Sequence, residues 1–323
     1  MLLRVRPYRH RESRGCSYDG YVQLPPEVRR AIEERAETVG FAALKRAASA
    51  LSDAYRATGR PPRLEDAERA AAYLVTRMPA TYAAAYSVFS ELPQLDVRSI
   101  LDVGAGTGTA SLAAREFFPE AGITMIERDR AFAEAARSWL PDAEVRIEDA
   151  GSGVSLPRRD LVIAAYSLGE LGAAAARRLW EAAEVALVIF EPGTPRGFAL
   201  VRSVRDQLIA AGGHIAAPCP TSDACPMVDP DWCHFGARVE RSSLHRRVKG
   251  GELGYEDEKF SYVALTRSAA ETAGARVVRR PQHQAGLIVL ETCTAEGLRT
   301  ERVGKRDKDS FRRARKAGWG DKW

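Results

Sequence analysis

From residue 98 onward, short apolar runs alternate with helical stretches: SILDV, ITMIE, EVRIE, DLVIAAY and ALVIFE, with helices starting near Thr109, Ala131, Ala173 and Pro195. Strand–helix alternation of this kind implies a parallel sheet covered by helices on both faces. Two later runs, KFSYVALTR and AGLIVLETC, are joined through 268–284 and are expected to close the sheet as an antiparallel edge pair. Upstream, residues 25–57 carry apolar positions at helical spacing, from Val28 and Ile32 to Leu51, behind Pro25-Pro26. Gly59-Arg60-Pro61-Pro62 ends that helix, and two more are expected over 64–77 and 80–92, separated by Pro79. No internal repeat is present.

The first strand runs into Asp102-Val103-Gly104-Ala105-Gly106-Thr107-Gly108, and a helix follows. Glycines at alternate positions allow turn geometries closed to other residues and let the backbone approach a ligand. An acid, Glu127, ends the next strand 19 residues past Gly108, about where a ribose-binding carboxylate belongs. The G-x-G-x-G spacing resembles the first motif of class I S-adenosylmethionine-dependent methyltransferases. That resemblance implies a Rossmann-like α/β fold. It places Asp102, Gly104, Ala105, Gly106, Thr107 and Gly108 around the methionine and ribose, Glu127 on the ribose hydroxyls and Asp149 near the adenine. Tyr166, Ser167 and Glu170, at the end of the fourth strand, are candidate pocket residues. That position has no Asn/Asp-Pro-Pro-Tyr and no cysteine, so neither the usual amino-methylation signature nor a covalent nucleophile is present. Glu170 also reads as a helix-start residue.

Four of the five cysteines, Cys219, Cys225, Cys233 and Cys293, are set apart from Cys16. Disulfides do not persist in a reducing compartment, and four thiolates from one loop and one later strand suit a closed metal or iron–sulfur site. The spacings of 6 and 8 match neither zinc-ribbon pairs nor the triplet that leaves one iron open, so spacing alone leaves zinc and iron–sulfur side by side.

With 323 residues, 45% hydrophobic and 28% charged, the chain has room for an α/β core and a smaller accessory domain. It has no apolar run of membrane length and no apolar stretch after its basic start, and we expect a cytoplasmic protein with no membrane contact. The net charge of +5 is uneven. Residues 299–323 hold ten Lys/Arg against four acids, and residues 1–14 hold five Arg against one Glu. Basic termini, with Trp319 and Trp323 among the C-terminal cations, suggest arms for a polyanion.

The segments MPATYAAAYSVFSEL, LDVGAGTGTAS, AYSLGEL, IFEPGTPRGF, the three-cysteine loop, HRRVKGGELGYEDEKFSYVAL and the late Cys293 together resemble a known family. They are similar to the methyltransferase-like assembly factors of the mitochondrial small ribosomal subunit and their bacterial and archaeal relatives, from about residue 78 to the C-terminus. The resemblance implies a [4Fe–4S] cluster on Cys219, Cys225, Cys233 and Cys293. His234 and His245 would be packing or RNA contacts. It implies binding to small-subunit rRNA and to the assembling small subunit. The expected organisation is a helical domain over 1–95, a methyltransferase domain over 96–298 with a cluster loop at 214–250, and a basic RNA-binding tail over 299–323. Arg246, Arg247 and Lys249 in the loop, and Lys305, Arg306, Arg312, Arg313, Arg315 and Lys316 in the tail, are the expected RNA contacts, on a monomer. Two other readings stay open: an active rRNA methyltransferase, and a small-molecule methyltransferase with structural zinc.

Overall fold

A computed structural model describes residues 22–57, 64–172 and 174–323. Cys16, the basic segment 1–14, the Gly59–Pro62 break and the helix start at Ala173 lie outside the described residues.

The N-terminal helices are α1 (Pro26–Val39), α2 (Phe41–Ala57), α3 (Asp66–Thr76) and α4 (Met78–Ser90). The single helix expected over 25–57 is two. Gly40 adopts φ 81°, a left-handed backbone that stops α1, and its N–H caps the carbonyl of Ala36. Pro79 sits in the first turn of α4, where a missing N–H does no harm.

The sheet region follows as β1 (Ser99–Val103), α5 (Thr109–Arg115), β2 (Gly122–Ile126), α6 (Arg130–Trp139), β3 (Glu144–Arg146), β4 (Arg159–Ala165), α7 (Leu168–Leu171), α8 (Ala175–Ala182), β5 (Ala183–Pro192), α9 (Pro195–Ala210) and β6 (His214–Ala217). Then come β7 (Phe235–Glu240), α10 (Ser243–Lys249), β8 (Tyr255–Thr266), β9 (Ala275–Val277), β10 (Gln282–Gln284), β11 (Leu287–Thr294), β12 (Gly297–Gly304) and α11 (Lys308–Ala314). The main sheet has the order β3-β2-β1-β4-β5-β8-β6, with β7 also pairing β8. β1 to β5 are parallel, and β8 runs antiparallel to β5, Phe190 opposite Tyr262. This is a class I methyltransferase sheet.

Its two faces bury different partners. Ile100, Met125, Ile163, Val188 and Phe190 pack with α1 to α6. Leu101, Val103, Val162, Leu187 and Ile189 pack with α8 and α9. The N-terminal helices therefore share one core with the sheet.

The expected edge pair does not form. β8 is buried from Phe260 to Thr266, and antiparallel neighbours flank it on both sides. β11 instead builds a second, antiparallel sheet with β9, β10 and β12. The reason is proximity in the chain: β11 and β12 are joined by only Ala295 and Glu296, with Thr294 opposite Gly297, and so short a hairpin closes at little entropic cost.

Residues 299–323 are likewise no free tail. They complete β12 and form α11, whose Ala314 and Phe311 pack with Ile288, Leu290 and Trp323. Among the described residues no helix is long and apolar enough to cross a membrane.

Candidate functional site

The turn after β1 is built by backbone conformation. Gly104, Gly106 and Gly108 have φ of 69°, 57° and 70°. The three differ in what a side chain would meet. A Cβ on Gly104 would lie 2.6 Å from the Cβ of Ser167, and one on Gly108 would lie 3.0 Å from Ala136 and Met125. A Cβ on Gly106 would meet nothing within 4 Å, so Gly106 fronts open space at the strand ends.

The chain itself fixes the surrounding groups. Gly104 and Ala105 N–H donate to the carbonyl of Ile126 at 2.9 and 3.1 Å. Glu127 accepts the N–H of Gly106 on one oxygen and of Asp129 on the other, both at 2.7 Å. Trp139 Nε1 donates to the Thr107 carbonyl at 2.9 Å, and Thr107 and Thr109 share a hydroxyl bond. Asp102 is fully buried. Its Oδ2 accepts the Ser111 hydroxyl at 2.7 Å, while Oδ1 is buried without a partner among the described residues. Burial pushes Asp102 up to about 7, against the Ser111 hydrogen bonds. Burial also raises Glu127, and the two backbone amides oppose it.

These features fit the methionine and ribose of S-adenosylmethionine. A glycine turn fronts open space, a buried carboxylate oxygen lacks a partner, and a second carboxylate is held at fixed orientation. Asp149 sits farther out, half-exposed. It caps the short turn Ala150–Ser152 through the Gly151 N–H, and Arg128 approaches it at 3.9 Å while donating to Glu170 at 2.7 Å.

The three pocket candidates after β4 part company. Ser167 donates its hydroxyl to the Val103 carbonyl at 2.8 Å, and so fastens β4 to β1. Glu170 is taken by Arg128. Tyr166 alone reaches a polar network: its hydroxyl donates to Glu258 Oε1 at 3.1 Å, and Arg77 donates to the same oxygen at 3.1 Å. Its φ of 55° makes it the only non-glycine with positive φ among the described residues, a strain concentrated at functional sites. Burial holds its hydroxyl well above the ordinary tyrosine range.

Arg77 and Glu258 are not evident from sequence, since one lies between N-terminal helices and the other on β8. Glu191 was also missed. It is buried, accepts the N–H of Leu168 and Gly169, and is pushed up to about 7 by desolvation. Helix α3 closes over this side of the sheet: Arg69 pairs with Asp129 at 2.5 Å and Tyr73 packs on Phe132 at 4.9 Å.

The fold draws the four cysteines together. Cys219 follows β6, Cys225 lies in the loop, Cys233 precedes β7 and Cys293 lies on β11. All four line one cavity, together with Phe198, Met227, Arg205 and Arg276. They are free thiols. Burial raises Cys219, with Arg205 opposing, and holds Cys233 well above the usual thiol range. Cys293 is pushed up to about 11, first by burial and then by Cys219 and Cys225.

Among the described residues, no three His, Cys, Asp or Glu side chains close on a single metal ion. The donor set nevertheless suits a multi-atom cluster, with four soft thiols converging and buried guanidiniums to offset negative charge. His234 and His245 are both buried. His234 stacks on Trp232, and neither ring nitrogen of His245 has a hydrogen-bond partner among the described residues.

The basic residues divide by environment. Arg246, Arg247 and Lys249 are exposed on α10, but Lys249 pairs with Glu256 at 3.0 Å and Arg247 lies over Phe41. Nearby, Arg238 and Arg241 pair with Asp257 and Glu256. At the C-terminus Lys305, Arg306, Arg312, Arg313, Arg315 and Lys316 are all exposed. Of these, Lys305, Arg306, Arg315 and Lys316 have no ion-pair partner among the described residues. Arg312 pairs with Asp309, and Arg313 lies over Trp323. The tryptophans expected to stack on bases are packed instead. Trp323 donates to Glu301 at 2.6 Å, and Trp319 meets His234 edge-on with its Nε1 buried.

No curated protein sequence matches the chain. Among solved structures, the plantazolicin methyltransferase BamL, determined with SAH, is similar at 12% identity and a TM-score of 0.42, over 70% of this chain and 98% of that one. Precorrin-6y C5,15-methyltransferase from Geobacter metallireducens is similar at 16% identity and 0.39, over 57% and 86%. A TehB-like SAM-dependent methyltransferase from Corynebacterium glutamicum is similar at 16% and 0.37, over 58% and 88%. The profile of one family, described as mitochondrial small ribosomal subunit Rsm22, matches residues 67–323, and the chain belongs to that family.

Proposed function

We propose that this methyltransferase-like protein binds S-adenosylmethionine at the glycine turn, holds a [4Fe–4S] cluster on Cys219, Cys225, Cys233 and Cys293, and attaches to small-subunit rRNA during assembly of the small ribosomal subunit. The observation that carries the reading is the convergence of three cysteines of the β6–β7 loop and Cys293 of β11 on one cavity, in a fold whose glycine turn is intact.

In this reading Asp102 and residues 104–108 hold the methionine and ribose, Glu127 takes the ribose hydroxyls and Asp149 stands near the adenine. The cluster would cross-link the three loop cysteines to Cys293 on β11. Those links fix the loop that joins β6 to β7, with Arg246 and Arg247 just beyond on α10. The four unpaired cations Lys305, Arg306, Arg315 and Lys316 give the phosphate contacts, which position the protein without reading sequence. Arg312 and Arg313 add to the same face.

Anaerobic purification tests the cluster. Brown protein with absorption near about 400 nm and matched iron and sulfide supports it, whereas stoichiometric zinc without iron supports the small-molecule reading. Calorimetric titration with S-adenosylmethionine tests the turn, and no heat at millimolar ligand would make the turn a relic.

A second reading, methyl transfer to rRNA, has one observation in its favour: the strained Tyr166 aimed at Glu258 and Arg77. Incorporation of labelled methyl into small-subunit rRNA by wild type, and its loss in Y166F, is the test.

A further inference from the structure

Helix α9 presents Phe198, Val201, Arg205 and Leu208 as its buried stripe, and Phe198, Val201 and Arg205 reach the cysteine cavity. A cation in an apolar helix stripe is costly unless its charge and its donors are used. Arg205 is only 4% exposed. Its Nη2 donates to the carbonyls of Thr221 and Asp223 at 2.9 and 2.6 Å, and its Nη1 donates to Asp206 at 2.5 Å. The Nε–H is buried and has no hydrogen-bond partner among the described residues.

Arg276, the other deeply buried guanidinium at the cavity, is occupied differently. It donates to the carbonyls of Pro218 and Gly320 and to Glu91 at 2.6 Å. Arg202 also reaches the wall and donates to the Met227 carbonyl. Among the described residues one carboxylate lines the cavity, Asp223, and it is exposed at the rim and holds the Thr221 hydroxyl. The buried charges facing the four sulfurs are thus cations, and one of them keeps a donor in reserve. The Arg205 guanidinium lies within hydrogen-bonding reach of the Cys219 thiol.

We infer that Arg205 is the residue that tunes the cluster, giving its free Nε–H and its charge to the sulfurs on the Cys219 side and so favouring the more reduced, more anionic state. Net charge and hydrogen bonds to sulfur are the levers by which a protein sets the potential of such a centre. Arg205 touches no reacting group and acts only through the cluster, so it is a positioning residue. The inference rests on the cavity being a [4Fe–4S] site.

The test is a reductive titration with dithionite, followed by visible absorbance, on the full chain reconstituted anaerobically with iron and sulfide. R205Q should lower the potential enough to change the reduced-to-oxidised ratio about tenfold at fixed ambient potential, about 59 mV for one electron. R205K keeps the charge but not the fork, and should fall between wild type and R205Q. D206N removes the half-exposed acid that shares the Arg205 charge, and should shift the ratio in the opposite direction by less.

Loaded R205Q and D206N that both titrate like wild type would overturn the inference. R205Q also removes two contacts to the loop; if it fails to load, D206N decides by the sign of its shift, upward for and unchanged against. Wild type that takes up no iron and sulfide would instead sink the cluster reading, and this inference with it.

Discussion

The glycine turn and the cysteine cavity are two ways of holding a site. At the turn, each group expected to face the ligand is fixed by the chain itself. Both oxygens of Glu127 are tied by backbone amides, Thr107 is tied by Trp139, and Gly104 abuts Ser167. At the cavity, the loop between β6 and β7 is held largely from outside. Arg202, Arg205 and Trp232 bond Met227, Thr221, Asp223 and Gly193 across it, and the thiols that line it repel one another once ionised. The first site is preorganised, and folding does not wait for its ligand. With the proposed cluster bound, the second would be completed by its ligand, because the bond energy of thiolates to metal becomes folding energy.

The largest expected effect breaks the comparison if it fails. C233S should lose the cluster and on the order of several kcal/mol of stability, comparable with the whole stability of an ordinary domain, while C16S should match wild type. Denaturant unfolding with iron analysis checks this. A C233S protein as stable as wild type would show that the cavity, like the turn, stands by itself.

The converse applies at the turn. G106V places a side chain where the ligand would lie, and should weaken S-adenosylmethionine at least about a hundredfold, about 3 kcal/mol. Its cost in stability should be only about 1–2 kcal/mol, for a branched residue at positive φ. G104A should reverse that pattern, because its Cβ would collide with Ser167 at 2.6 Å and not with ligand. Calorimetric titration and thermal melts on the two variants separate the cases. Equal loss of folding in both would mean that Gly106 is structural.

Much of this was legible from local pattern. The strands β1 to β5 and the helix starts at Thr109 and Pro195 follow from apolar runs and turn residues, which act over a few positions. Pairing across long gaps was not legible. β8 and β11 read alike as apolar runs, and only the two-residue link to β12 determines that β11 turns away into its own sheet. The Tyr166–Glu258–Arg77 network joins residues from three distant places and leaves no trace in spacing. Arg205 did leave one: a lone cation in the apolar stripe of α9.

Charge counting alone likewise could not tell which of the expected RNA contacts, Arg246, Arg247 and Lys249 or those at the C-terminus, have acid partners. The fold neutralises Arg238, Arg241 and Lys249 with Asp257 and Glu256, whereas Arg246, Lys305, Arg306, Arg315 and Lys316 have no ion-pair partner among the described residues.

That difference can be measured. Replacing Lys305, Arg306, Arg315 and Lys316 together by alanine should make the dependence of log affinity for small-subunit rRNA on log salt shallower by up to about 3 units, at about 0.7–0.9 per lost phosphate contact. R238A with K249A should change it by less than about 1, because each cation already has an acid partner. Filter binding over a salt series distinguishes them, and a larger effect from the second pair would move the RNA surface to α10.

The smallest effect belongs to the preorganised site. Asp102 in the folded chain titrates at about 7, raised by burial from the ordinary carboxylate range near about 4. Between those values the folded state binds more protons than the unfolded one, so its contribution is present at low pH and is lost as pH rises toward 7. The slope should be about 1 kcal/mol per pH unit from about pH 5 to 6.5, and partial solvation in solution would reduce it. D102N keeps the shape and cannot ionise, so its stability should be flatter than wild type over that window. Denaturant midpoints for the two proteins, taken at half-unit steps, provide the comparison. A wild-type curve as flat as that of D102N would mean that Asp102 stays ionised in the fold, and that its unpartnered oxygen already has water or another donor beside it.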